Sequence, residues 1–519
     1  MVDSTEPAPR AARGAWAGLS VLVLTGVIVS MDMSVLFFAL PFVSADLQPT
    51  TAETLWILDI YGFLLAGLLI TMGTLGDRIG RRKLLMLGAA LFGAASVIAA
   101  YSANAEMLIA ARALLGIGGS TLAPSTLSLI RNMFHDAGQR RTAIGVWTAG
   151  FAGGSALGPI VGGLLLEHFW WGSVFLLNVP VMVLLLVLAP RLVPEFKDPS
   201  PERFDVLSGL LSLCAVLPVI YAVKKVATEG VDLLSVVAAV VGLAAGVLFL
   251  RRQRGPNPLI DVRLFAERAF SASVAANALT TFAMMGVLLF VAQYLQLVLG
   301  MRPLTAALWS LPGFLGMPVG IAVATTVVRR IRPGYVVSAG LATAAAGMLV
   351  LNWLEAGSGL AVIIAGTFVM AVGIGVVSAL ANDLIIATAP PERAGAASAI
   401  SETGTEFGGA LGMAVLGSIG WGVYSSRLLD QAPAGLPPHD LDAARETLGA
   451  AAEIAGRLPD PLGPSLASAA NEAYLNGLRV TGVAGAAIML AAAVLSAVLL
   501  RRIRSDAALQ PAGSSPDVP

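Results

Sequence analysis

Long uninterrupted runs of apolar residues dominate the pattern of this sequence. A helix that crosses a bilayer needs roughly 20 mostly apolar residues, and a window of that length finds fourteen such runs. They cover residues 15–41, 52–73, 84–102, 106–130, 141–166, 171–190, 206–223, 233–250, 270–299, 304–328, 334–353, 360–386, 395–424 and 477–500. Membrane β-barrel strands are short and alternate apolar with polar positions. The pattern therefore predicts an all-α membrane protein with fourteen transmembrane helices.

Composition narrows the classes of function. The chain is 57% hydrophobic and only 12% charged, whereas soluble domains carry about 25% charged residues. A soluble fold of this length cannot bury so much apolar surface, which excludes soluble enzymes, nucleic-acid binders and secreted disulfide scaffolds. Lys plus Arg and Asp plus Glu number 32 each, so no net charge attracts nucleic acid. The sequence contains no phosphate-binding loop, and we expect no enzymatic activity, no metal and no cofactor.

The distribution of basic residues predicts the orientation, because cytoplasmic loops of membrane proteins are enriched in Lys and Arg. With both termini inside, 24 of the 32 basic residues are cytoplasmic, 7 are external and Arg112 lies within a span. Residues 425–476 then form an external loop with seven acids and three Arg residues, in which Leu441 to Ile454 reads as one short amphipathic helix. This loop is either a solvated cap without a role in transport or a lid over the outer exit.

An internal repeat divides the chain. The segment LLGIGGSTLAPSTLSLIRNMF, followed by GVWTAGFAGGSALG, recurs some 250 residues later as AVGIGVVSALANDLIIATAPPER, followed by AISETGTEFGGALG. The order and direction are the same, which indicates a parallel repeat of two six-helix halves. We therefore assign residues 1–195 to an N-terminal half, 196–260 to two inserted helices, and 261–519 to a C-terminal half that includes the loop at 425–476.

Several motifs resemble those of a known family. Residues 73–83, Gly-Thr-Leu-Gly-Asp-Arg-Ile-Gly-Arg-Arg-Lys, match the signature between helices 2 and 3 of the major facilitator superfamily. Residues 108–120, with Arg112, resemble the helix 4 motif of its proton-driven members, and residues 154–163 match the helix 5 motif of its antiporters. Residues 31–41 and 55–61 resemble the fourteen-helix drug:proton antiporters of the QacA type.

The resemblance implies a transporter that works by alternating access, driven by the proton gradient and placed as a monomer in the bacterial inner membrane. It implies that Asp77 and Arg78 lie in a cytoplasmic loop and act as a conformational latch between the halves. It assigns helix 5 a packing role at a sliding interface, since small residues let helices approach closely. The positions that carry these motifs are Gly73, Asp77, Arg78, Gly80, Arg81, Gly158, Pro159 and Gly162.

Three ionisable residues lie in the outer half of the predicted spans. Each charge in a membrane core costs at least ~2.5–3.5 kcal/mol on insertion scales, so each of these residues is expected to have a structural or functional role. Asp32, Asp59 and Arg112 lie at similar depth in helices 1, 2 and 4. Arg112 can therefore pair with either acid. Rearrangement of such a pair would switch proton affinity, which favours a role in proton coupling over a static ion pair.

The second half carries two acids on one helical face. Glu402 and Glu406 are four residues apart, and this spacing places both carboxylates on the same side of helix 13. Their mutual repulsion predicts that one of them holds a proton. We interpret both as sites for protons and for a cationic substrate, with polar helix packing as the alternative.

Aromatic and methionine residues are candidates for the wall of a substrate cavity, because aromatic faces attract organic cations and Met adapts its shape. Most such residues in a membrane protein simply pack or face lipid. The candidates are Tyr61, Trp147, Phe282, Met284, Met285, Tyr294, Trp309 and Met317.

Together these features predict a proton-coupled efflux antiporter whose partners are protons and small-molecule drugs. We expect it to export lipophilic monovalent cations such as quaternary ammonium compounds and cationic dyes. The alternative is an exporter of a dedicated endogenous product, such as a lipid or a self-made antibiotic. The inserted helices carry no acid within their spans, and we expect them to pack at the periphery.

Overall fold

The structure, a computed structural model, describes residues 13–198, 205–255, 258–355, 359–389 and 394–501. Within these ranges the regular secondary structure is entirely helical. Fourteen helices in the described part of the chain are long and apolar enough to cross a membrane. The predicted all-α membrane fold and its span count are therefore confirmed.

The helices follow the predicted runs closely. A break at Leu177 divides one span into α6 and α7, and a break at Leu315 divides another into α11 and α12. The helices are α1 Arg13–Leu47, α2 Thr51–Ile79, α3 Arg81–Ala100, α4 Ala105–Met133, α5 Ala137–His168, α6 Ser173–Leu176, α7 Asn178–Leu192, α8 Val206–Glu229, α9 Leu233–Arg252, α10 Arg268–Gln293, α11 Pro303–Phe314, α12 Gly316–Val327, α13 Pro333–Val350, α14 Leu360–Thr388, α15 Ala394–Gln431, α16 Pro438–Glu446, α17 Leu448–Arg457 and α18 Leu462–Leu499. A π-helical turn at Tyr294–Val298 extends α10.

The segment predicted as a loop at 425–476 is mostly helical. The flanking helices α15 and α18 extend into it, to Gln431 and from Leu462. The single amphipathic helix predicted at 441–454 is instead two helices, α16 and α17. They are separate because the Thr447 hydroxyl accepts a hydrogen bond from the Ala450 backbone N–H at 3.1 Å, which caps the start of a new helix.

Packing sorts the long helices into two groups. In the N-terminal helix group, α1–α7, α1 packs on α5 and α4 packs on both α2 and α3. In the C-terminal helix group, α10–α15 and α18, α10 packs on α15 and α14 packs on both α12 and α13. The two groups meet where α2 contacts α15 and where α5 contacts α11.

Glycines at matching positions allow the closest helix contacts in both groups. A Cβ atom at Gly154 of α5 would lie 2.4 Å from the Val27 carbonyl oxygen of α1. A Cβ atom at Gly408 of α15 would lie 2.2 Å from the Ala278 carbonyl oxygen of α10. Only glycine permits these backbones to approach so closely.

The inserted helices differ from each other in their surroundings. Helix α9 packs on α8 and exposes most of its surface, as expected for the periphery. Few residues of the α8 span are buried either, but this helix also contacts both α2 and α15 and so reaches the junction of the two groups. We call the end of the bundle that carries α16 and α17 the cap end, and the opposite end, with the α2–α3 turn at Gly80, the turn end.

Candidate functional site

Asp32 of α1 and Arg112 of α4 form a buried ion pair. Arg112 Nη1 lies 2.5 Å from Asp32 Oδ2, and each residue is 1% exposed. Arg112 Nε also donates to the Ile57 carbonyl oxygen at 3.2 Å. A buried guanidinium needs several partners to offset its desolvation, and these contacts join α1, α2 and α4 around one charge.

Two further residues complete this network. The Arg112 guanidinium carbon lies 4.6 Å from the ring centroid of Tyr61 on α2, which is within the range of a cation–π contact. Asn178, at the start of α7, donates to Asp32 Oδ1 at 2.9 Å and to the Ser96 hydroxyl at 3.1 Å. Sequence reasoning missed Asn178, although a lone amide in the apolar segment FLLNVPVMV is a signal that could have found it.

Asp59 has a different partner from the one that the sequence suggested. Lys224 Nζ of α8 lies 2.8 Å from each carboxylate oxygen of Asp59, and the exposed fractions are 1% and 0%. Lys224 Nζ also lies 3.8 Å from the ring centroid of Trp56. The predicted end of this span at residue 223, which left Lys224 outside it, is therefore wrong, because α8 continues to Glu229.

Glu402 and Glu406 lie on α15. Among the described residues, no Lys or Arg side chain forms an ion pair or hydrogen bond with either carboxylate. The two carboxylates interact electrostatically with each other, as expected from their spacing. Glu402 is exposed, whereas Glu406 is half-buried and its Oε2 atom has no hydrogen-bond partner in the described structure. Glu406 is also close enough to Tyr61 to interact with it electrostatically. Polar residues of α15, in the C-terminal helix group, and of α2, in the N-terminal helix group, are therefore neighbours.

Two clefts open into the bundle. One has about 190 Å³ of space between α1, α4 and α5, and Trp147 lines it. The other has about 600 Å³ between α10, α11, α12 and α14, with Met284, Met317 and Met370 in its wall. Its lining is almost wholly apolar, and its hydroxyl groups include Ser310 and Thr367, both of which donate to backbone carbonyls in their own helices.

The remaining cavity candidates occupy varied positions. Tyr294 is fully buried, and its hydroxyl donates to the Glu355 carbonyl oxygen at 2.8 Å. Phe282 is buried, and Trp309 is 44% exposed. Met285 lies opposite Gly409 of α15. None of these four residues lines either cleft, whereas Trp147 lines the first cleft and Met284 and Met317 line the second.

Comparison with known sequences decides the family. Residues 22–413 match the sequence profile of the Major Facilitator Superfamily. The chain belongs to the major facilitator superfamily. Members of this superfamily are transporters, and the protein is therefore a transporter and not an enzyme.

Relatives and solved structures agree with this assignment. The chain is 44% identical to the multidrug efflux pump LfrA of Mycolicibacterium smegmatis, over 96% of this chain and 99% of LfrA. It is 35% identical to the methyl viologen resistance protein SmvA of Salmonella typhimurium, over 89% of this chain and 93% of SmvA. Its fold matches a bacterial homolog of the human lysosomal transporter Spinster with a TM-score of 0.66, at 18% identity over 95% of this chain and 99% of that one.

The superfamily signature forms the turn between α2 and α3. Asp77 and Arg78 lie in the last turn of α2, rather than in a loop as predicted, because the connection is the single residue Gly80. Gly80 has φ +114°, a conformation that favours glycine. Asp77 Oδ1 accepts from Arg81 Nε at 2.7 Å. Arg82 donates to the carbonyls of Pro190 and Val193, so the contacts of this turn lie within the N-terminal helix group. Gly73, one turn earlier, faces Pro124 of α4.

The helix 5 motif packs differently from the expectation. A Cβ atom at Gly158 would lie 2.1 Å from the Ser34 hydroxyl, and one at Gly162 would lie 2.1 Å from a Val35 methyl group. Pro159 is buried beside them. These glycines therefore bring α5 against α1 within one group, and it is Gly163 that faces Leu304 of α11 in the other group.

Proposed function

We propose that this transporter exports lipophilic monovalent organic cations in exchange for protons, by alternating access. The observation that carries the proposal is the contrast between the two helix groups. Asp32 and Asp59 each have a cation within 2.8 Å, whereas Glu402 and Glu406 have none in the described structure. The unbalanced acids belong to α15, and Glu406 interacts electrostatically with Tyr61.

The charge count sets the expected charge of the substrate. Two carboxylates on one face repel each other, and retention of one proton relieves the repulsion. One net negative charge is then available to an organic cation in a low-dielectric site. A second positive charge on a rigid substrate would lack compensation there, and an uncompensated charge is costly to bury.

The names of relatives support export and sharpen the question of charge. LfrA is a multidrug efflux pump, which favours lipophilic drugs and dyes as substrates. SmvA is named for resistance to methyl viologen, which is a bivalent cation. Methyl viologen is therefore the most informative competitor, since the charge count of this chain disfavours it.

The contacts between the groups favour a state that opens at the turn end. Leu55 of α2 lies against Gly417 of α15, and Gly163 of α5 lies against Leu304 of α11, both towards the cap end. The distribution of basic residues favours a cytoplasmic turn end. In the proposed cycle, drug enters from the cytoplasm of a bacterial inner membrane and displaces a proton from Glu402 or Glu406. The groups then rock, and drug leaves at the cap end.

Transport by purified protein in vesicles tests this proposal. We expect the wild-type protein to transport a monovalent cationic dye in the direction opposite to the proton flow that an imposed pH gradient drives. This transport should stop when the gradient is collapsed. Glu402→Gln and Glu406→Gln should each weaken dye binding by about tenfold or more, because a charge-assisted contact is lost. Glu453→Gln, which changes a partly exposed acid on α17 that pairs with Arg457, is the matched control. Dye movement that is independent of the gradient would refute proton exchange.

Competition with paired compounds tests the charge count. We expect a monovalent quaternary ammonium compound to displace the dye at lower concentration than its bivalent counterpart of matched lipophilicity, or than methyl viologen. Equal or tighter binding of the bivalent compounds would contradict the charge count without affecting the proposal of proton-driven export.

One relative favours a second candidate function. The chain is 32% identical to the tetracenomycin C resistance and export protein of Streptomyces glaucescens, over 95% of this chain. That name supports an exporter of one dedicated compound. A biosynthetic gene cluster around the gene would favour this alternative, whereas a neighbouring TetR-like regulator would favour drugs. Loss of one secreted metabolite on deletion of the gene, with unchanged dye resistance, would establish the second candidate.

A further inference from the structure

Helix α8 contributes a charge to the interior of the N-terminal helix group. Lys224 lies on this inserted helix and contacts both oxygens of the Asp59 carboxylate. The face of Trp56 covers the same ammonium group. An ammonium ion in a membrane interior is costly unless it is paired, so this arrangement is a built contact between α8 and α2.

Helix α8 is held against α2 along most of its length. Nearer the turn end, a Cβ atom at Gly209 would lie 2.8 Å from the Thr71 hydroxyl. One turn further along α8, the Ser212 hydroxyl lies 3.3 Å from the Gly67 carbonyl oxygen, within hydrogen-bond distance. In this conformation these contacts seat α8 on α2 and thereby set the distance between Lys224 and Asp59.

The same helix also contacts the other helix group. Ile220 of α8 packs in one apolar cluster with Phe63 of α2 and with Ala410 and Ala414 of α15. Helix α8 therefore lies where α2 and α15 meet. Relative movement of the two groups changes this three-helix contact.

The charges around Asp59 leave Lys224 as its partner. Arg112 of α4 interacts with Asp59 electrostatically, but its direct ion pair is with Asp32 of α1. Lys225, the next residue of α8, lies 3.1 Å from Asp232. The other ionisable residues whose side chains the structure describes on the helices that pack on α2 are Asp46 of α1, Arg81, Arg82 and Lys83 of α3, Glu106 and Arg131 of α4, Cys214 and Tyr221 of α8, and Glu402, Glu406, Tyr424, Arg427 and Asp430 of α15.

We propose that Lys224 is a positioning residue for proton exchange at Asp59, and that α8 is thereby a working part of the transport cycle. This inference rests on the proposed function. The ammonium group and a proton compete for the same carboxylate oxygens. While α8 is seated on α2, Lys224 keeps Asp59 ionised. When the groups rock and α8 moves away from α2, the carboxyl group takes up a proton in place of the ammonium.

Three variants of α8 separate charge from packing. Lys224→Met keeps the apolar stem and removes the charge, Lys224→Arg keeps the charge, and Lys225→Met changes the adjacent lysine as a matched control. In vesicles, we expect Lys224→Met to lose at least ~90% of gradient-driven dye efflux at neutral pH. A buried carboxylate that lacks its cation releases its proton only at higher pH, so the remaining activity should peak at least ~1 pH unit higher. Lys224→Arg should recover most of the wild-type rate and pH profile, and Lys225→Met should match wild type.

A spectroscopic titration measures the protonation of Asp59 without transport. The infrared C=O band of the protonated carboxylic acid is assigned to Asp59 by its absence in Asp59→Asn. We expect this band to persist to a pH at least ~1 unit higher in Lys224→Met than in wild type. The same titration midpoint in both proteins would overturn the proposal, as would a wild-type pH profile of efflux in Lys224→Met.

Two controls keep the outcomes distinct. Asp59→Asn combined with Lys224→Met removes both charges, and normal folding of this double variant shows that packing of α8 survives. If wild-type vesicles lack gradient-driven efflux, the proposed function fails, while the infrared titration still decides whether Lys224 sets the protonation of Asp59.

Discussion

Thr51 and Glu446 connect the two helix groups at the cap end. The Glu446 carboxylate, at the end of α16, accepts a hydrogen bond from the Thr51 backbone N–H at 2.6 Å and from its hydroxyl group at 3.0 Å. The Thr51 hydroxyl also lies 2.7 Å from the Glu446 carbonyl oxygen. Thr51 is the first residue of α2, so the segment between α15 and α18 is attached to the N-terminal helix group.

Glu446→Ala should therefore favour opening at the cap end. Each hydrogen bond to a charged group contributes about 1.5–3 kcal/mol, so the open population should rise about tenfold or more. Spin labels on the cap ends of α1 and α10 would report the change as a longer distance distribution. The exposed Cys214 can be replaced by Ala as background, and we expect Cys214→Ala itself to transport normally. An unchanged distance distribution in Glu446→Ala would indicate that residues 425–476 are a solvated cap without a role in transport, and not a lid over the outer exit.

Asp32→Asn should abolish gradient-driven efflux, because a neutral amide cannot carry the proton. The same change leaves Arg112 buried without its acid, which should lower the free energy of unfolding by about 3–5 kcal/mol. Asp32→Asn combined with Arg112→Gln should recover much of that stability in a thermal unfolding assay but none of the efflux. Transport at the wild-type rate by Asp32→Asn would refute the assignment of Asp32 to proton coupling.

Gly154→Ala and Gly408→Ala should each destabilise the protein by about 1–3 kcal/mol, as overpacked positions do. In both cases the new methyl group would meet a backbone carbonyl of the facing helix. Gly153→Ala is the matched control, since a Cβ atom there has no heavy atom within 4 Å. Thermal unfolding in detergent measures the effect. A melting temperature that falls equally in Gly153→Ala would show that helix flexibility, and not close packing, selects these glycines.

Asp77→Ala should reduce turnover more than drug affinity, because Asp77 pairs with Arg81 at the turn end, away from α15. Dye binding at equilibrium and initial rates of efflux from vesicles separate the two quantities. Lys83→Ala, in which an exposed lysine of the same turn is removed, should match wild type in both. A large loss of binding with normal turnover of bound dye would contradict a role in conformational change.

The ion pair of Asp205 with Arg252 connects α8 to α9, and its contribution to stability should be constant above about pH 4. Hydrogen bonds from Arg252 at 3.0 Å lower the pKa of Asp205 to about 2, whereas an unfolded Asp has a pKa of about 3.9. The folded pKa is the lower one, so the stabilisation is complete above about pH 4 and is lost as pH falls through 2. The difference in melting temperature between wild type and Asp205→Asn should therefore be the same at pH 5 and pH 8. A difference that vanishes at pH 5 would contradict the low pKa.

The fold could be predicted from the sequence because bilayer thickness sets the length of each apolar run. The ends were less certain, since α1 continues through Pro41 and α18 begins at Leu462, where polar residues dilute the hydropathy of the window. The two-helix cap segment could not be predicted because its separation depends on one capping contact at Thr447.

The members of the site were predicted better than their pairing. Asp32, Asp59 and Arg112 are buried as expected. Their similar depth in the membrane does not determine whether Arg112 pairs with Asp32 or with Asp59. The choice depends on α8, whose lysine binds Asp59 and leaves Arg112 to Asp32. A hydropathy window ends a span at a charged residue because it cannot detect a partner 165 residues away in the chain. The adjacent lysines Lys224 and Lys225, two of only four in the chain, were the available signal.

The separation between Asp59 and Lys224 also has a consequence for biosynthesis. The two residues are 165 positions apart, and ribosomes add about 5–20 residues per second. Asp59 therefore leaves the ribosome about 8–33 seconds before its cation does. During that interval the nascent helix α2 contains an acid without its final partner, which membrane insertion tolerates only if the acid is neutral or shielded. Arg112, which interacts with Asp59 electrostatically, emerges before Lys224 and is available to shield this acid in the interval. The buried charges of the N-terminal helix group are thus balanced only after α8 has been synthesised.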